Sequence, residues 1–419
     1  MENKDISKGI RISVIGGGAA GFFAALSAKK HHPEAEVSIY EKTTHFLSKV
    51  KISGGGRCNV CHDEPNHRIL AERYPRGEKF LKKAFEQFDA ADTMRWFQER
   101  NVALKIYPDG CVFPLSNSSQ SIIDCFLREA QQLEIACHLQ ESIQSMEIDA
   151  HGLFHLQTTQ KTLICERVIV TTGGQPKITG LQWLANMGHH IIPPVPSLFT
   201  FNMPNEPIKN LMGLVVEKAN VRIEGHKLTG KGPLLITHWG MSGPAILQLS
   251  AWGARILADM NYEFAILVNW LDDTKESQLR DMLEQTRKNH GGKMLSNFSP
   301  FPIPSRLWSY LLEKNHISST VRWNELNLKH INKLLNTLLN DRYQVKGKTT
   351  FKEEFVTAGG VDLAEIEVQR MESKKIPGLF FAGEIMDIDG ITGGFNFQAA
   401  WTTGFIAGKY AGLKADKSG

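Results

Sequence analysis

Three glycines near the start of the chain, Gly16, Gly18 and Gly21, form a G-x-G-x-x-G run directly behind an apolar segment at residues 10–15. In that setting each glycine has a task. Gly16 permits a tight turn, Gly18 lets backbone approach a pyrophosphate, and Gly21 lets a helix pack closely on a strand. The helix that follows, expected over residues 22–30 and closed before Pro33, points unpaired N–H groups and a partial positive charge at the phosphates. A second strand, residues 37–40, runs into Glu41, 20 residues beyond Gly21. A carboxylate there accepts hydrogen bonds from a ribose diol and repels a 2′-phosphate, so the expected ligand is an adenine dinucleotide without that phosphate.

FAD and NAD share this fingerprint, and the far end of the chain separates them. Residues 376–384 read as a strand ending in Gly383 and Glu384. Asp387 follows, and then Gly393-Gly394-Phe395-Asn396-Phe397-Gln398 opens a helix reaching about Tyr410. The pattern resembles the second FAD segment of flavoproteins with two-dinucleotide folds. There the acid holds ribityl hydroxyls or supports a phosphate contact, and the helix N-terminus faces the pyrimidine edge of the flavin.

A third element, Ser53-Gly54-Gly55-Gly56-Arg57-Cys58-Asn59, makes the resemblance specific. Together with the glycine run it is similar to the bacterial aminoacetone-oxidase-like or bile-acid-reductase-like NAD(P)/FAD-dependent oxidoreductases. Further matching blocks follow in order: Val170-Thr171-Thr172-Gly173-Gly174, Thr237-His238-Trp239-Gly240-Met241-Ser242-Gly243-Pro244, Phe355-Val356-Thr357-Ala358-Gly359-Gly360-Val361, and Met371-Glu372-Ser373-Lys374. The likeness covers nearly the whole chain. It implies a Rossmann-like FAD domain interrupted by an inserted domain that covers the isoalloxazine. Carried over by residue, it places Gly16, Gly18, Ala19, Ala20 and Gly21 on the pyrophosphate, Glu41 and Lys42 at the adenosine ribose, and the backbone of Ile143 at adenine. The loop Gly55, Gly56, Arg57, Cys58, Asn59 lines phosphates and ribityl chain, and Thr172, Gly173 and Gly174 pass close to the cofactor. Gly383, Glu384, Asp387, Gly393, Gly394, Phe395, Asn396 and Gln398 hold ribityl and flavin.

One departure stands out. Where the family continues Thr-Asn after Arg57-Cys58-Asn59-Val60, this chain has Cys61-His62, which completes a formal C-x-x-C-H. Covalent haem would need an exported chain, and a redox dithiol would make a flavin-disulfide reductase. Zinc would need a second ligand pair, so no metal is expected. A coincidence inside a flavin loop is the expected outcome.

The whole chain has 419 residues with 48 Lys+Arg against 44 Asp+Glu, 42% hydrophobic and 22% charged. At roughly 150 residues per domain that is room for two or three cores, and the mix excludes a disordered or disulfide-stapled chain. Six sparse cysteines, a polar start with no apolar leader segment, and no long apolar run set the expectation of a cytoplasmic protein away from membranes. The near-balanced charge argues against nucleic acid, so a small-molecule substrate and no nucleic-acid partner are expected.

Pro193-Pro194-Val195-Pro196 cannot be helix interior or central strand and is read as an exit from one domain. The expected architecture is α/β. A parallel-sheet FAD domain at residues 1–193 and 350–419 is interrupted by an α+β substrate or cap domain at 194–349, helical at about 272–340. Helices are expected over residues 80–100, 273–288, 305–313 and 322–339, and strands over 168–170, 214–223 and 262–268. Ser242 is read as a possible cap of the helix entered through Pro244. His238 is read equally as a proton donor above the flavin or as a hydrogen-bonded histidine at a strand–helix junction. The pairs His31-His32 and His189-His190 are expected at the surface.

Flavin redox chemistry needs no protein nucleophile, so catalytic residues stay unassigned. The expected activity is hydride transfer between FAD and a small organic substrate, NAD(P)H-linked and aimed at activated C=C bonds. An oxidase of a small amine or alcohol, and a flavin-carrying RNA-associated protein, are the alternatives. With no second G-x-G-x-x-G, NAD(P)H would dock transiently.

Overall fold

The computed structural model describes residues 9–349 and 356–413. The chain divides into two units, Met1–Pro196 with Lys352–Gly419, and Ser197–Phe351.

The first unit is built on short strands whose central members read as apolar runs because both faces are covered. They are β1 (Arg11–Ile15), β2 (Glu36–Tyr40), β3 (Ala136–His138), β4 (Arg167–Val170) and β5 (Leu379–Phe381). They lie parallel in the order β5-β4-β1-β2-β3, with Ile366–Glu367 and Glu372–Ser373 adding two antiparallel strands beyond β5. The register Ile15↔Val170↔Phe381 sets three strand ends level, which is where open α/β sheets bind ligands.

Two helices cover one region of this sheet: α1 (Ala19–His31) and α2 (Phe395–Ala411), from opposite ends of the chain. They touch backbone to backbone. A Cβ on Gly408 would lie 2.1 Å from the Ala24 carbonyl oxygen, and one on Gly404 would lie 2.7 Å from that of Ala20. Around α1 a cluster of rings, Phe23, Phe88, Trp96, Phe126 and Trp401, fills the core.

The second unit carries a seven-stranded antiparallel sheet whose longest members are Val215–Ile223, Thr229–Ile236, Glu263–Asn269 and Asp341–Lys346. Helix Pro244–Asp259 packs on it. Helices Glu276–His290, Ser305–Lys314 and Leu328–Asn340 extend its core around Trp270, Trp308 and Trp323. Each indole N–H is satisfied: by Asp341 at 3.0 Å, by the Leu295 carbonyl at 2.7 Å and by the Phe298 carbonyl at 3.1 Å. A Rossmann-like parallel-sheet domain with an additional antiparallel-sheet domain is the fold.

Several local expectations are corrected. Residues 80–100 form two helices, Glu78–Ala84 and Ala90–Gln98, because Asp89 and Asp92 exchange bonds as a capping box that starts the second. Residues 322–339 likewise break, since the Asn327 side chain accepts the His330 N–H and begins a new helix. Ser242 caps nothing: it ends strand Gly240–Ser242, and Gly243 at φ 92° is the N-cap before Pro244. His238 lies exposed in the turn between strands Thr229–Ile236 and Gly240–Ser242, its ring edge-on to Trp239 at 4.3 Å, so it is at no strand–helix junction. The proline-rich tract at 193–196 is a strand, Ile191–Ser197, of a two-stranded sheet, where missing N–H donors cost least. Among the described residues no helix is long and apolar enough to cross a membrane.

The histidine pairs also differ from expectation, for one member of each is buried: His32 and His189. His189 reaches Glu365 through Nδ1 at 3.1 Å and the Ser373 hydroxyl through Nε2 at 3.4 Å. Burial lowers its pKa against the opposing pull of Glu365. The folded protein therefore resists a proton that the unfolded chain takes up near pH 6.5, so stability is lost as pH falls below that value. The unfolding midpoint of the protein should drop between pH 7.5 and 5.5, and His189→Gln should flatten that drop. Equal pH slopes for both proteins would contradict the assignment.

Candidate functional site

The glycine turn begins where β1 ends. Gly16 stands at φ 113°, its N–H donates to the Tyr40 carbonyl at 2.8 Å, and the Thr171 hydroxyl donates to the carbonyls of Ile15 (3.0 Å) and Gly16 (2.8 Å). Two of the glycines are packing necessities. A Cβ on Gly16 would sit 2.5 Å from the Thr171 carbonyl oxygen, and one on Gly21 would sit 1.9 Å from that of Gly16. Gly18 is different, as are Gly55 and Gly173: no atom lies within 4 Å of their missing Cβ. These three leave backbone open to a ligand. Helix α1 takes Gly18 as N-cap, with no capping side chain and no acid in its first turn, so the N–H groups at Ala19, Ala20 and beyond are free of side-chain competitors.

Glu41 follows β2. Its carboxylate accepts the Gly17 N–H at 2.9 Å and the Thr43 N–H at 2.9 Å, which fixes it beside the glycine turn with lone pairs remaining for hydroxyl donors. Lys42 is exposed next to it. The Gln140 and Glu141 N–H groups donate to the Thr43 and Glu41 carbonyls at 3.0 and 2.9 Å, so the chain entering strand Ile143–Ile148 brings Ile143 close to Glu41.

Gly54, Gly55 and Gly56 lie at φ 56°, 68° and 82°, an unbroken left-handed run that non-glycine residues would resist. The run ends in Arg57 and in Cys58, which is itself at φ 61°. The Arg57 guanidinium lies over the Phe113 ring at 4.3 Å. Asn59 accepts the Val112 N–H at 3.3 Å, and its Oδ1 would lie 2.8 Å from a Cβ on Gly394, so this loop meets the C-terminal segment.

Cys58 and Cys61 are buried free thiols. Burial pushes Cys58 up to about 12 and raises Cys61 as well, the reverse of a reactive cysteine. In the folded protein at pH 8 both should resist a thiol reagent that titrates all six cysteines in urea. Two thiols appearing only after NADPH treatment would contradict this and revive the dithiol reading.

The C-terminal segment joins the same place. Gly383, at φ 75°, donates its N–H to the Thr403 hydroxyl at 2.9 Å, and its Cβ would lie 2.8 Å from that of Ala20 in α1. Glu384 accepts the Thr357 N–H at 2.8 Å and pairs with Lys49 at 2.8 Å. A Cβ on Gly174 would be 2.4 Å from the Thr357 hydroxyl and 2.6 Å from the Glu384 carboxylate. Thr172 is half-buried just before it.

Gly393 precedes Gly394, the N-cap of α2, which again has no capping side chain and no acid in its first turn. Other expected ligands also make bonds within the protein. The Asn396 side chain holds both N–H and C=O of Gly390 at 2.8 and 3.0 Å, and the Asp387 N–H donates to Val361 at 3.0 Å. The Phe395 carbonyl accepts the Tyr74 hydroxyl at 2.6 Å. Gln398 is fully buried, donating to Thr402 at 3.0 Å and leaving its carbonyl oxygen without a protein partner.

Thr171, Lys49 and Thr357, absent from the sequence-derived site, thus contribute to its frame. So does the buried pair Arg76–Asp389, which ties a loop near Tyr74 to the one leading into α2. The partners of Thr171, Lys49 and Arg76 lie 155 to 335 residues away, and that of Thr357 lies 27 residues away.

Two uncapped helix N-termini, open glycine backbone and a carboxylate at the end of β2 suit a diphosphate-bridged flavin nucleotide. The class defined by this fold and site is the FAD-binding Rossmann oxidoreductase. The chain belongs to the HI0933-like protein Rossmann domain family, whose model matches residues 10–410. It is 26% identical over 409 residues to the 3-dehydro-bile acid delta(4,6)-reductase of Clostridium scindens, covering 96% of this chain and 98% of that protein. It is 30% identical over 399 residues to the ribosomal RNA dihydrouridine synthase of Escherichia coli, covering 93% and 95%. In fold it is similar to the 3-ketosteroid-delta4-(5alpha)-dehydrogenase of Rhodococcus jostii RHA1, with a TM-score of 0.52 at 12% identity over 99% of both chains.

Proposed function

We propose that this protein is an NAD(P)H-linked, FAD-dependent reductase of a ring carbon–carbon double bond conjugated to a carbonyl. The observation that carries the reading is the pairing of two full-length relatives with unlike substrates. One is named for reducing delta(4,6) double bonds of a 3-dehydro bile acid, the other for making dihydrouridine, a uridine whose ring double bond is saturated. The shared reaction is hydride addition to a carbon conjugated with a carbonyl.

Bound FAD supplies the hydride donor for such a step. The chain's own work is positional. The N-terminus of α1 and the open backbone at Gly18 would hold the diphosphate, and Glu41 would take the ribose hydroxyls. Lys49 and Thr357 fix the Glu384 carboxylate, which would serve the ribityl chain, and the N-terminus of α2 would stabilise negative charge on the reduced flavin. NAD(P)H docks transiently, without a fingerprint of its own. Six free cysteines accord with a cytoplasmic location.

Anaerobic mixing with NADPH or NADH tests the reading. Rapid bleaching of the visible flavin band, reversed by a conjugated enone or by uracil-containing RNA, is the expected result. Bleaching by a small amine or alcohol instead, with reoxidation by oxygen, would favour the oxidase.

A uracil in RNA is favoured as the substrate by the distribution of charge. Residues 197–351 hold 19 Lys+Arg against 13 Asp+Glu, a net of +6, and the remainder of the chain is at −2. The near-neutral total averages two unlike units, and a basic inserted unit suits a polyphosphate partner. Retention of ribosomal RNA on a filter should fall steeply between 50 and 200 mM salt, by orders of magnitude for several phosphate contacts. No retention at low salt would leave the small-molecule substrate.

A further inference from the structure

His62 completes the C-x-x-C-H departure, and the functional reading leaves it unused. It forms the two-residue strand Cys61–His62 with Cys61, paired in register with Cys111 of strand Cys111–Pro114. Its ring stacks on Phe395 at 4.7 Å between centroids and 25° between planes. Nδ1 lies 3.3 Å from the Gly393 carbonyl oxygen. A carbonyl only accepts, so Nδ1 carries the proton and donates. On the far side Nε2 faces Gly110, where a Cβ would come within 2.5 Å of it. The half-buried imidazole is therefore clamped between Gly110, Phe395 and the turn that opens α2.

We infer that His62 is a positioning residue for the Gly393–Gly394 turn. It stands where the family pattern has asparagine, and it donates to the Gly393 carbonyl through Nδ1. The inference rests on the FAD reading of the site. The ring gives that bond through Nδ1, and an asparagine amide at the same place can give it too.

The test measures FAD affinity by quenching of flavin fluorescence on full-length protein stripped of flavin, for the unaltered chain, His62→Asn and His62→Leu, at one pH. His62→Leu should bind FAD about fivefold more weakly, the effect of one lost hydrogen bond. His62→Asn should stay within about twofold, because its amide can make the same bond. Equal affinities for all three proteins, or equal losses in both variants, would overturn the proposal. Failure of the unaltered chain to take up FAD would instead overturn the cofactor reading. Unfolding midpoints taken alongside identify a variant that merely fails to fold, and His62→Ala then replaces His62→Leu in the comparison with His62→Asn.

Discussion

Gly21→Val should yield a protein that no longer retains FAD. The added Cβ alone would lie 1.9 Å from the Gly16 carbonyl oxygen, 2.8 Å from the Thr171 hydroxyl and 3.1 Å from the Gly16 carbonyl carbon. Two of those atoms are backbone and cannot swing aside, so α1 must move off the strand end that it covers. Overpacking of this kind costs about 1–3 kcal/mol, a loss that a chain of this size can survive. The helix N-terminus, displaced by an ångström or so, cannot keep several N–H groups on one diphosphate. FAD affinity should therefore fall by about 100-fold or more, the equivalent of about 3 kcal/mol in hydrogen bonds to a charged group. Gly18→Ala meets open space and should leave the fold intact while weakening FAD less. Equilibrium dialysis with FAD, beside circular dichroism of each variant, checks both.

Arg76→Met should cost stability and flavin together. Asp389 is fully buried, its side chain at 0% exposure, and Arg76 at 9% approaches it with two nitrogens. Removing the arginine leaves a carboxylate inside the protein facing a thioether, and such one-sided breaks cost about 3–5 kcal/mol. The pair joins the segment after Tyr74 to the loop whose Gly390 is held by Asn396, so the start of α2 should loosen as well. Replacing both members, Arg76→Met with Asp389→Leu, should recover much of the stability, because two apolar residues can substitute for a buried ion pair. Urea unfolding of the single and double variants distinguishes these outcomes. Equal destabilisation in both would show that the contact matters for shape rather than charge.

What the sequence discloses about this molecule is mostly local chemistry. The turn at Gly16 to Gly21 is legible because a tight turn, an uncapped helix start and close helix–strand packing each demand glycine within six residues. Glu41 is legible for a related reason: one strand must separate it from the turn, and the spacing matches. The break at Asp89 is harder to see. The apolar spacing of Phe85, Phe88, Met94 and Phe97 continues smoothly across it, and the capping box that interrupts the helix is made of two ordinary acids. His32 and His189 mislead because a histidine is read as polar, whereas partners for its ring nitrogens, the Lys409 carbonyl for one and Glu365 with Ser373 for the other, suffice to bury it. Lys49 and Arg76 are invisible in the sequence, since each matters for a partner 335 or 313 residues away. The likeness to known flavoproteins compensates by supplying long-range order that local pattern lacks. It does so at the level of segments, and it gives no sign that the Asn396 side chain also bonds the backbone of Gly390.

The central claim is that residues from both termini converge on one flavin nucleotide. Titrating flavin-stripped protein with FAD and following the fluorescence to saturation tests it most directly, with Gly21→Val and Arg76→Met as companions, one altered in each arm of the site. The expected result is one FAD per chain, with affinity lost on altering either arm. A chain that stays colourless in excess FAD, or one whose flavin affinity ignores the Arg76–Asp389 arm, would contradict it.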